Sequence, residues 1–279
     1  MYNIKKVCTF KVDTIKKSVA YVTEGGKGFE DELSIANDFT IRGLSKIESA
    51  IQQEGTKAVI QIFHAGRKTN SKILRGVQPT SANAIAAVYP QDSETPRELT
   101  NEEIESIIQD FGRATLRAIQ AGFDGVELHG ANTYLLQQFF SENSNQRGDQ
   151  WGGSFDNRMR FPLRVIQEVA SVIKANADKP FTLGYRLSPE ELEIPGLRLD
   201  DSLAFAQALT GTPIDYIHLS MGSYKRTSLN QREDKEPILA KFVKVLDNIK
   251  PPIVVGSVER PEDAEAVIET GSALVGIGR

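Results

Sequence analysis

Short apolar runs of strand length alternate with longer amphipathic segments from residue 18 to the last residue of the sequence. The apolar runs predict seven strands, at residues 18–22, 57–63, 125–129, 181–187, 216–220, 252–256 and 273–278. The amphipathic spacing predicts helices at residues 41–53, 101–121, 161–175, 200–209, 237–246 and 261–269, and a capping box at Thr100 opens the second of them. Strands that are apolar on both faces and alternate with helices indicate a parallel sheet covered by helices.

Polar side chains stand at the carboxyl ends of nearly all of these strands. They are Gln61 and His64, His129, Arg186, Ser220, Ser257 and Arg279. Chemistry is built on that rim in a (β/α)8 barrel, so we predict an α/β fold of the TIM (β/α)8 type rather than a doubly wound sheet. Seven strands are one too few, and the sequence stops after a strand, so we expect an incomplete barrel. Either the Lys-rich first 17 residues supply a poor strand, or the domain is truncated at both ends.

The composition narrows the class of protein. There are 33 Lys and Arg against 37 Asp and Glu, a net charge of −4, which argues against a surface dedicated to nucleic acid. Cys8 is the one cysteine, which excludes an internal disulfide framework and an iron–sulfur cluster held by this chain. No apolar run approaches the roughly 20 residues that cross a bilayer. We therefore expect a cytoplasmic protein that acts on a small molecule without nucleic-acid or membrane partners, with a homo-oligomer left open.

The most informative segment is FDGVELHGANTYLLQQFF, which begins at Phe123. His129 and Asn132 lie three residues apart just after a predicted strand, and both can donate hydrogen bonds toward one small acceptor. Tyr134 can give a proton. Together they could polarise a carbonyl group and protonate the carbon next to it. The alternative is structural: a polar rim that caps the next helix, and a tyrosine that packs in the core.

Several motifs of this sequence resemble those of one known family. They are QIFHAGR from Gln61, QPTSAN from Gln78, ELHGANTYLLQQFFS from Glu127, NQRGDQWGGSFDNRMRF from Asn145, GYRLSPEE from Gly184 and VGSVERPEDAEAVIETGSALVGIGR from Val255. They are similar to the Old Yellow Enzyme family, FMN-dependent NAD(P)H:flavin oxidoreductases built on a TIM barrel. The resemblance covers residues 18–279, read as an FMN-binding barrel domain, and leaves residues 1–17 as an unmatched segment. The family's first strand and final helix have no visible counterpart.

The resemblance implies a reaction and a set of roles. FMN, reduced by NADH or NADPH, would reduce activated C=C bonds of α,β-unsaturated carbonyl or nitro compounds. His129 and Asn132 would bind the electron-withdrawing group of the substrate, and Tyr134 would deliver the proton. The flavin ring would contact Gln61 and Arg186. At the ends of the last two strands, glycine residues leave backbone N–H groups accessible, and such groups can bind a phosphate. The remaining cofactor-binding candidates are therefore Gly256, Ser257, Gly278 and Arg279.

Two rival functions remain at this point. The first is a truncated, inactive remnant of the family that binds no flavin, and the second is a barrel enzyme that acts on a sugar phosphate. Three histidines without ligand spacing give no case for a metal site. We interpret His218 as a packing or rim residue and leave His64 and Arg67 open between substrate contact and loop anchoring. A polar cluster is interpreted as support for the loop after the fourth barrel strand: Arg147, Asp149, Asn157, Arg158 and Arg160.

Overall fold

The structure is a computed structural model, and it describes residues 7–8, 19–53 and 55–277. The strands of that part of the chain are, in order, β1 (Val7–Cys8), β2 (Val19–Tyr21), β3 (Leu33–Ser34), β4 (Lys57–Phe63), β5 (Thr80–Ser81), β6 (Arg97–Glu98), β7 (Gly125–Gly130), β8 (Thr182–Leu187), β9 (Tyr216–Ser220), β10 (Pro252–Val255) and β11 (Leu274–Gly276). The α-helices are α1 (Ile41–Gln52), α2 (Asn101–Gln120), α3 (Leu135–Phe140), α4 (Phe155–Asn176), α5 (Leu199–Thr210), α6 (Ile238–Leu246) and α7 (Pro261–Glu269).

The main sheet is parallel throughout. Its order is β11-β10-β9-β8-β7-β4-β2-β3, with β1 paired to β4 beside this path, and β5 and β6 form a separate parallel pair. Successive strands joined by helices give a (β/α)8-type barrel, which confirms the predicted fold class. Within the described residues the path ends at β3 on one side and β11 on the other. The first 17 residues do contribute a strand, the two-residue β1.

All seven predicted strands are present, and the differences from prediction lie in short elements and at helix ends. Helix α4 begins at Phe155 rather than at residue 161, because Ser154 caps it by accepting a hydrogen bond from the Asn157 N–H at 3.2 Å. The capping box of α2 is confirmed, with Thr100 Oγ1 accepting from the Glu103 N–H at 3.2 Å. Helix α3 and strands β3, β5 and β6 were not predicted, since two to six residues carry too little periodicity.

The central strand β7 has one apolar face and one polar face. Val126 and Leu128 are buried in the core between the sheet and the helices, together with Phe111 of α2. Successive side chains of a strand point to opposite faces, so Glu127 and His129 point into the barrel. Both are buried. The alternation therefore places a carboxyl group and an imidazole on the inner side of an otherwise apolar strand.

A glycine on β8 allows a hydrogen bond to cross a strand. Glu127, Gly184 and Tyr216 lie at one level on β7, β8 and β9. A Cβ atom on Gly184 would lie 2.1 Å from Cζ of Tyr216, so the tyrosine ring occupies the space in front of β8. From there the Tyr216 hydroxyl donates to Glu127 Oε2 at 2.9 Å. The missing side chain of Gly184 is thus what lets β9 reach β7 inside the barrel.

Substituting Gly184→Ala tests this arrangement. The new methyl group overlaps the Tyr216 ring, so we expect a loss of roughly 1–3 kcal/mol in the free energy of unfolding, measured by urea denaturation. Gly43→Ala is the matched control, because Gly43 is exposed on α1 and an added Cβ meets no atom within 4 Å. The control should gain roughly 0.5–1 kcal/mol. Equal effects of the two substitutions would contradict the packing described here.

Candidate active site

His129, at the end of β7, is held as a neutral hydrogen-bond donor. Its Nδ1 accepts a hydrogen bond from the Ala131 N–H at 3.3 Å, so the proton of the neutral ring is on Nε2. Burial lowers the pKa of His129 well below its usual value, and the positive charge of Arg186 acts in the same direction. The ring therefore presents a fixed N–H at the carboxyl end of the strand.

Asn132 follows in a left-handed backbone conformation, with φ of 56°. Its backbone N–H donates to Ser188 Oγ at 2.9 Å, and its Oδ1 accepts from Ser220 Oγ at 2.9 Å. With the amide oxygen occupied, the Nδ2 group is the end left to donate. The side chain is exposed, so this donor is accessible from outside the barrel.

Tyr134 lies against His129. The two ring centroids are 4.8 Å apart with an interplanar angle of 87°, and Phe63 packs on the tyrosine at 4.7 Å. Burial, and then the charge of Glu32, raise the pKa of Tyr134 to about 12, while Arg186 opposes this. The hydroxyl therefore remains protonated at neutral pH.

Gln61 and Arg186 lie on the inner face of the barrel, as expected from their places on β4 and β8. The Gln61 amide N–H donates to Glu127 Oε1, which leaves the amide oxygen of Gln61 for another partner. Arg186 donates to Ser220 Oγ at 3.0 Å. Its Nε is buried and has no hydrogen-bond partner among the described residues. Burial lowers the pKa of Arg186, and the charge of Glu127 counteracts this.

The end of β10 forms a tight rim loop. Gly256 has φ of 132° and Ser257 has φ of 50°. A Cβ atom on Gly256 would lie 2.3 Å from the Met221 carbonyl oxygen, so only glycine permits this approach of the β9 and β10 loops. Ser257 is exposed, and its Oγ donates to the Gly222 carbonyl oxygen at 2.9 Å. The other two predicted phosphate-site residues, Gly278 and Arg279, lie outside the described residues.

The site also contains a carboxylate, Glu127, that was not predicted from the sequence. Glu127 accepts hydrogen bonds from Gln61, from Tyr216 and from His218 Nδ1, the last at 3.0 Å. Burial alone would raise the pKa of Glu127, but the charge and hydrogen bond of His218, with Arg186 and Tyr216, outweigh it and lower this pKa to about 2. The signal was present in the sequence as a charged residue two positions before His129, on the same strand face.

His218 was predicted to be a packing or rim residue. It lies inside the barrel, where it is also a partner of Glu127. Its Nε2 is buried without a hydrogen-bond partner among the described residues.

His64 Nδ1 accepts from the Gly66 N–H at 3.0 Å, and burial lowers the pKa of this imidazole to about 3. Arg67 donates to the carbonyl oxygens of Ile85 and Ala86, so it anchors the loop above it.

The polar cluster after α3 supports its loop, as interpreted from the sequence. Arg147 donates to both carboxylate oxygens of Asp149 and to the Leu99 carbonyl oxygen, the last at 2.7 Å. Arg158 donates to the Phe140 carbonyl oxygen at 3.1 Å, and Asn157 to that of Gly152 at 3.1 Å. Arg160 donates to the Gln150 carbonyl oxygen at 2.8 Å. These bonds fix the segment that follows Tyr134.

Two further features concern residues 7–8, 19–53 and 55–277, which the structure describes. None of the helices there is both long enough and apolar enough to span a membrane. In the same residues, no group of three or more His, Cys, Asp or Glu side chains could hold a metal ion.

Comparisons with known proteins identify the family. The sequence profile of the NADH:flavin oxidoreductase / NADH oxidase family matches residues 5–279. The chain is 45% identical over 263 residues to an NADH:acrylate oxidoreductase of Vibrio harveyi, covering 93% of this chain and 26% of the relative. It is 43% identical over 271 residues to an NADH:fumarate oxidoreductase of Klebsiella pneumoniae (strain 342), covering 96% of this chain and 29% of the relative.

The fold has a solved counterpart. Morphinone reductase superposes with a TM-score of 0.78 at 25% sequence identity, covering 94% of this chain and 72% of that structure. The chain spans little more than a quarter of the length of the two curated relatives above. The profile match, which takes in nearly the whole chain, is what decides the assignment. The chain belongs to the NADH:flavin oxidoreductase / NADH oxidase family, the Old Yellow Enzyme family, whose members use FMN and take reducing equivalents from NAD(P)H.

Proposed function

We propose that residues 18–279 form an FMN-binding barrel that uses NADH or NADPH to reduce activated C=C bonds. One observation carries the proposal: a fixed N–H donor, His129 Nε2, lies beside a protonated phenol, Tyr134, with ring centroids 4.8 Å apart. A donor that holds an electron-withdrawing group and an acid beside it are the two protein groups that such a reduction requires.

The residues of the barrel interior fit FMN. Arg186 offers a cation and a buried Nε that lacks a partner among the described residues, and burying such a group unpaired costs roughly 1–3 kcal/mol. The free amide oxygen of Gln61 is an acceptor. We assign both to the flavin ring, and we assign Gly256 and Ser257, with Gly278 and Arg279, to the phosphate. Bound FMN would supply hydride transfer between the nicotinamide and the second substrate.

The remaining roles belong to side chains of this protein. His129 Nε2 and Asn132 Nδ2 bind the oxygen of the substrate's electron-withdrawing group and stabilise the negative charge that develops on it. Ser220 donates to the Asn132 oxygen Oδ1, which leaves Nδ2 to donate to the substrate, and Ser220 accepts in turn from Arg186. Tyr134 delivers the proton to the α-carbon of the substrate. Each of these groups is in its working protonation state at neutral pH, because burial has set the pKa values of His129 and Tyr134.

The substrate class is an electron-poor alkene. The names of two relatives specify acrylate and fumarate, which are unsaturated acids. We therefore extend the expected substrates from α,β-unsaturated carbonyl and nitro compounds to unsaturated carboxylates. A carboxylate oxygen would accept from the same two donors, His129 Nε2 and Asn132 Nδ2.

A second candidate function follows from chain coverage. The chain matches 26% and 29% of the length of the two oxidoreductases, so most of each relative lies outside the matched region. In this alternative the chain carries only the NADH-oxidising half of the reaction, and another site reduces the alkene. The two candidates share FMN and the nicotinamide donor but differ in whether Tyr134 acts on a substrate.

The visible absorption spectrum of the purified chain with added FMN separates these functions. A bound flavin band that bleaches with NADH or NADPH and recovers anaerobically with cyclohexenone, acrylate or fumarate supports alkene reduction. Bleaching without recovery supports the NADH-oxidising half alone. A chain that binds no FMN would contradict both and support the inactive remnant.

Replacing Tyr134 with Phe tests the proton donor. Loss of a general acid lowers a rate by typically 10²–10⁴-fold, so we expect the rate of flavin reoxidation by the alkene to fall by about that factor. Flavin reduction by NADH should change little, because it needs no proton from Tyr134. Stopped-flow absorbance measures both rates. Tyr89→Phe is the control, since Tyr89 is exposed on a rim loop. An equal loss in both half-reactions would count against the assigned role.

The reoxidation rate should also be nearly independent of pH. The pKa of Tyr134 is raised to about 12, so the phenol stays protonated as pH rises, and the pKa of His129 is lowered well below 6.5, so its ring stays neutral as pH falls. Between about pH 6 and about pH 9 neither group titrates. A rate that falls in wild type above about pH 8, but not in Tyr134→Phe, would show that Tyr134 ionises earlier than its burial implies.

A further inference from the structure

His218 has one ring nitrogen bound and the other without a partner. Nδ1 lies 3.0 Å from Glu127 Oε2 and 3.2 Å from Oε1. The low pKa of Glu127 makes it a carboxylate, which can only accept, so His218 Nδ1 carries a proton. Nε2 is then directed away from Glu127, and it is buried with no hydrogen-bond partner in the part of the chain that the structure describes.

This arrangement is the reverse of that of His129 and His64. Both of those rings accept a backbone N–H at Nδ1 and so carry their proton on Nε2. His218 instead donates from Nδ1, so its bond to Glu127 fixes where the second ring nitrogen, Nε2, is placed. Glu127 is therefore the group that sets the orientation of the His218 ring.

The register partner of His218 also has a buried nitrogen without a hydrogen-bond partner among the described residues. Arg186 and His218 are register partners on neighbouring strands β8 and β9, one level above Gly184 and Tyr216. Arg186 Nε and His218 Nε2 are both buried and both lack partners among the described residues. Two such atoms at adjacent positions of one barrel face are more costly than one, and a ligand with polar edges would satisfy both.

We propose that His218 Nε2 is a contact of the bound flavin ring beside Arg186, and that Glu127 is the positioning residue that holds it there. This inference rests on the proposed FMN site. The pyrimidine edge of an isoalloxazine carries carbonyl oxygens and an N–H, so it offers partners both to a guanidinium N–H and to an imidazole nitrogen. Tyr216 and Gln61 complete the hydrogen bonds of Glu127, so that the carboxylate remains charged and fixed.

Two amide substitutions distinguish the roles of the two ring nitrogens of His218. His218→Asn keeps an amide N–H near the Nδ1 position, where it can still donate to Glu127, but it has no atom at Nε2. His218→Gln places an amide near the Nε2 position and loses the donor to Glu127. The dissociation constant for FMN, measured by quenching of flavin fluorescence, and the thermal midpoint of the apoprotein report on the two nitrogens separately.

We expect His218→Asn to raise the dissociation constant for FMN roughly tenfold, ~1.4 kcal/mol, with a thermal midpoint near that of wild type. His218→Gln should bind FMN more tightly than His218→Asn but less tightly than wild type, because Glu127 no longer positions the amide, and it should unfold at a lower temperature, because Glu127 loses a charge-assisted partner. The opposite pattern, with His218→Asn binding FMN as wild type does, would overturn the proposal and leave His218 as a partner of Glu127 only.

A second readout needs no turnover. The chain has three histidines, so ¹⁵N-histidine labelling gives a spectrum in which each ring can be assigned by substitution. We expect the Nε2 resonance of His218 to move when FMN is added. Glu127→Gln, which replaces a charged acceptor by a neutral amide, should weaken both the hydrogen bond at His218 Nδ1 and FMN binding. An Nε2 resonance that is unmoved by bound FMN would overturn the contact. Wild type that binds no FMN at all would overturn the proposed function and this inference together.

Glu190→Gln is the matched control. Glu190 is also a buried carboxylate, and it accepts from Arg226 at 2.6 Å, from Ser228 at 2.8 Å and from the Leu229 N–H at 2.8 Å. It lies in the loop after β8 rather than in the barrel interior. This variant should lose stability, as Glu127→Gln does, yet leave the His218 resonances and FMN affinity unchanged. Equal loss of FMN affinity in both variants would show that the effect of Glu127 is only structural.

Discussion

The carboxylate of Glu127 lies inside the barrel, where ionisation is costly, and the surrounding side chains are arranged to keep it charged. Removing an ionised carboxyl from water costs several kcal/mol even after relaxation. Gln61, Tyr216 and His218 each donate to it, and hydrogen bonds to a charged group contribute roughly 1.5–3 kcal/mol each. Because the folded pKa is lowered from 4.5 to about 2, this stabilisation is present above pH 4.5 and is lost as pH falls through 2.

The rest of the site depends on that anchor and on the rigidity of the strands. Gln61 is turned so that its oxygen is free, and His218 is turned so that Nε2 is free. At the end of β7 and in the loop after it, His129 and Asn132 are fixed by a backbone N–H and by two serine hydroxyls, so their donating ends need little reorganisation when a ligand arrives. Nδ1 thus accepts a hydrogen bond in His129 and donates one in His218, because the neighbours of the two rings differ.

Membership of the NADH:flavin oxidoreductase / NADH oxidase family accounts for the barrel and the cofactor, and two of the relatives are named for the oxidoreduction of acrylate and fumarate. Their greater length means that the matched region is one part of a larger protein in those cases. Within the described residues, the sheet of this chain ends at β3 and β11. Four side chains of the proposed site lie on strands between these ends: Gln61 on β4, His129 on β7, Arg186 on β8 and His218 on β9. These four side chains therefore come from the continuous part of the sheet.

Local pattern alone predicted the order of the long strands and helices and favoured the barrel class, because periodicity and capping are properties of neighbouring residues. It also singled out His129, Asn132 and Tyr134 as candidates, and their roles stay a prediction. Several features needed the folded chain. The Glu127 network joins residues up to 91 positions apart, and Tyr216 reaches Glu127 only because strand register sets Gly184 between them. Likewise, the proton position on each histidine follows from partners on other strands or in following loops. Sequence periodicity reports which face of a strand a residue occupies, but strand register, which is fixed by packing across the sheet, decides which distant side chain it meets there.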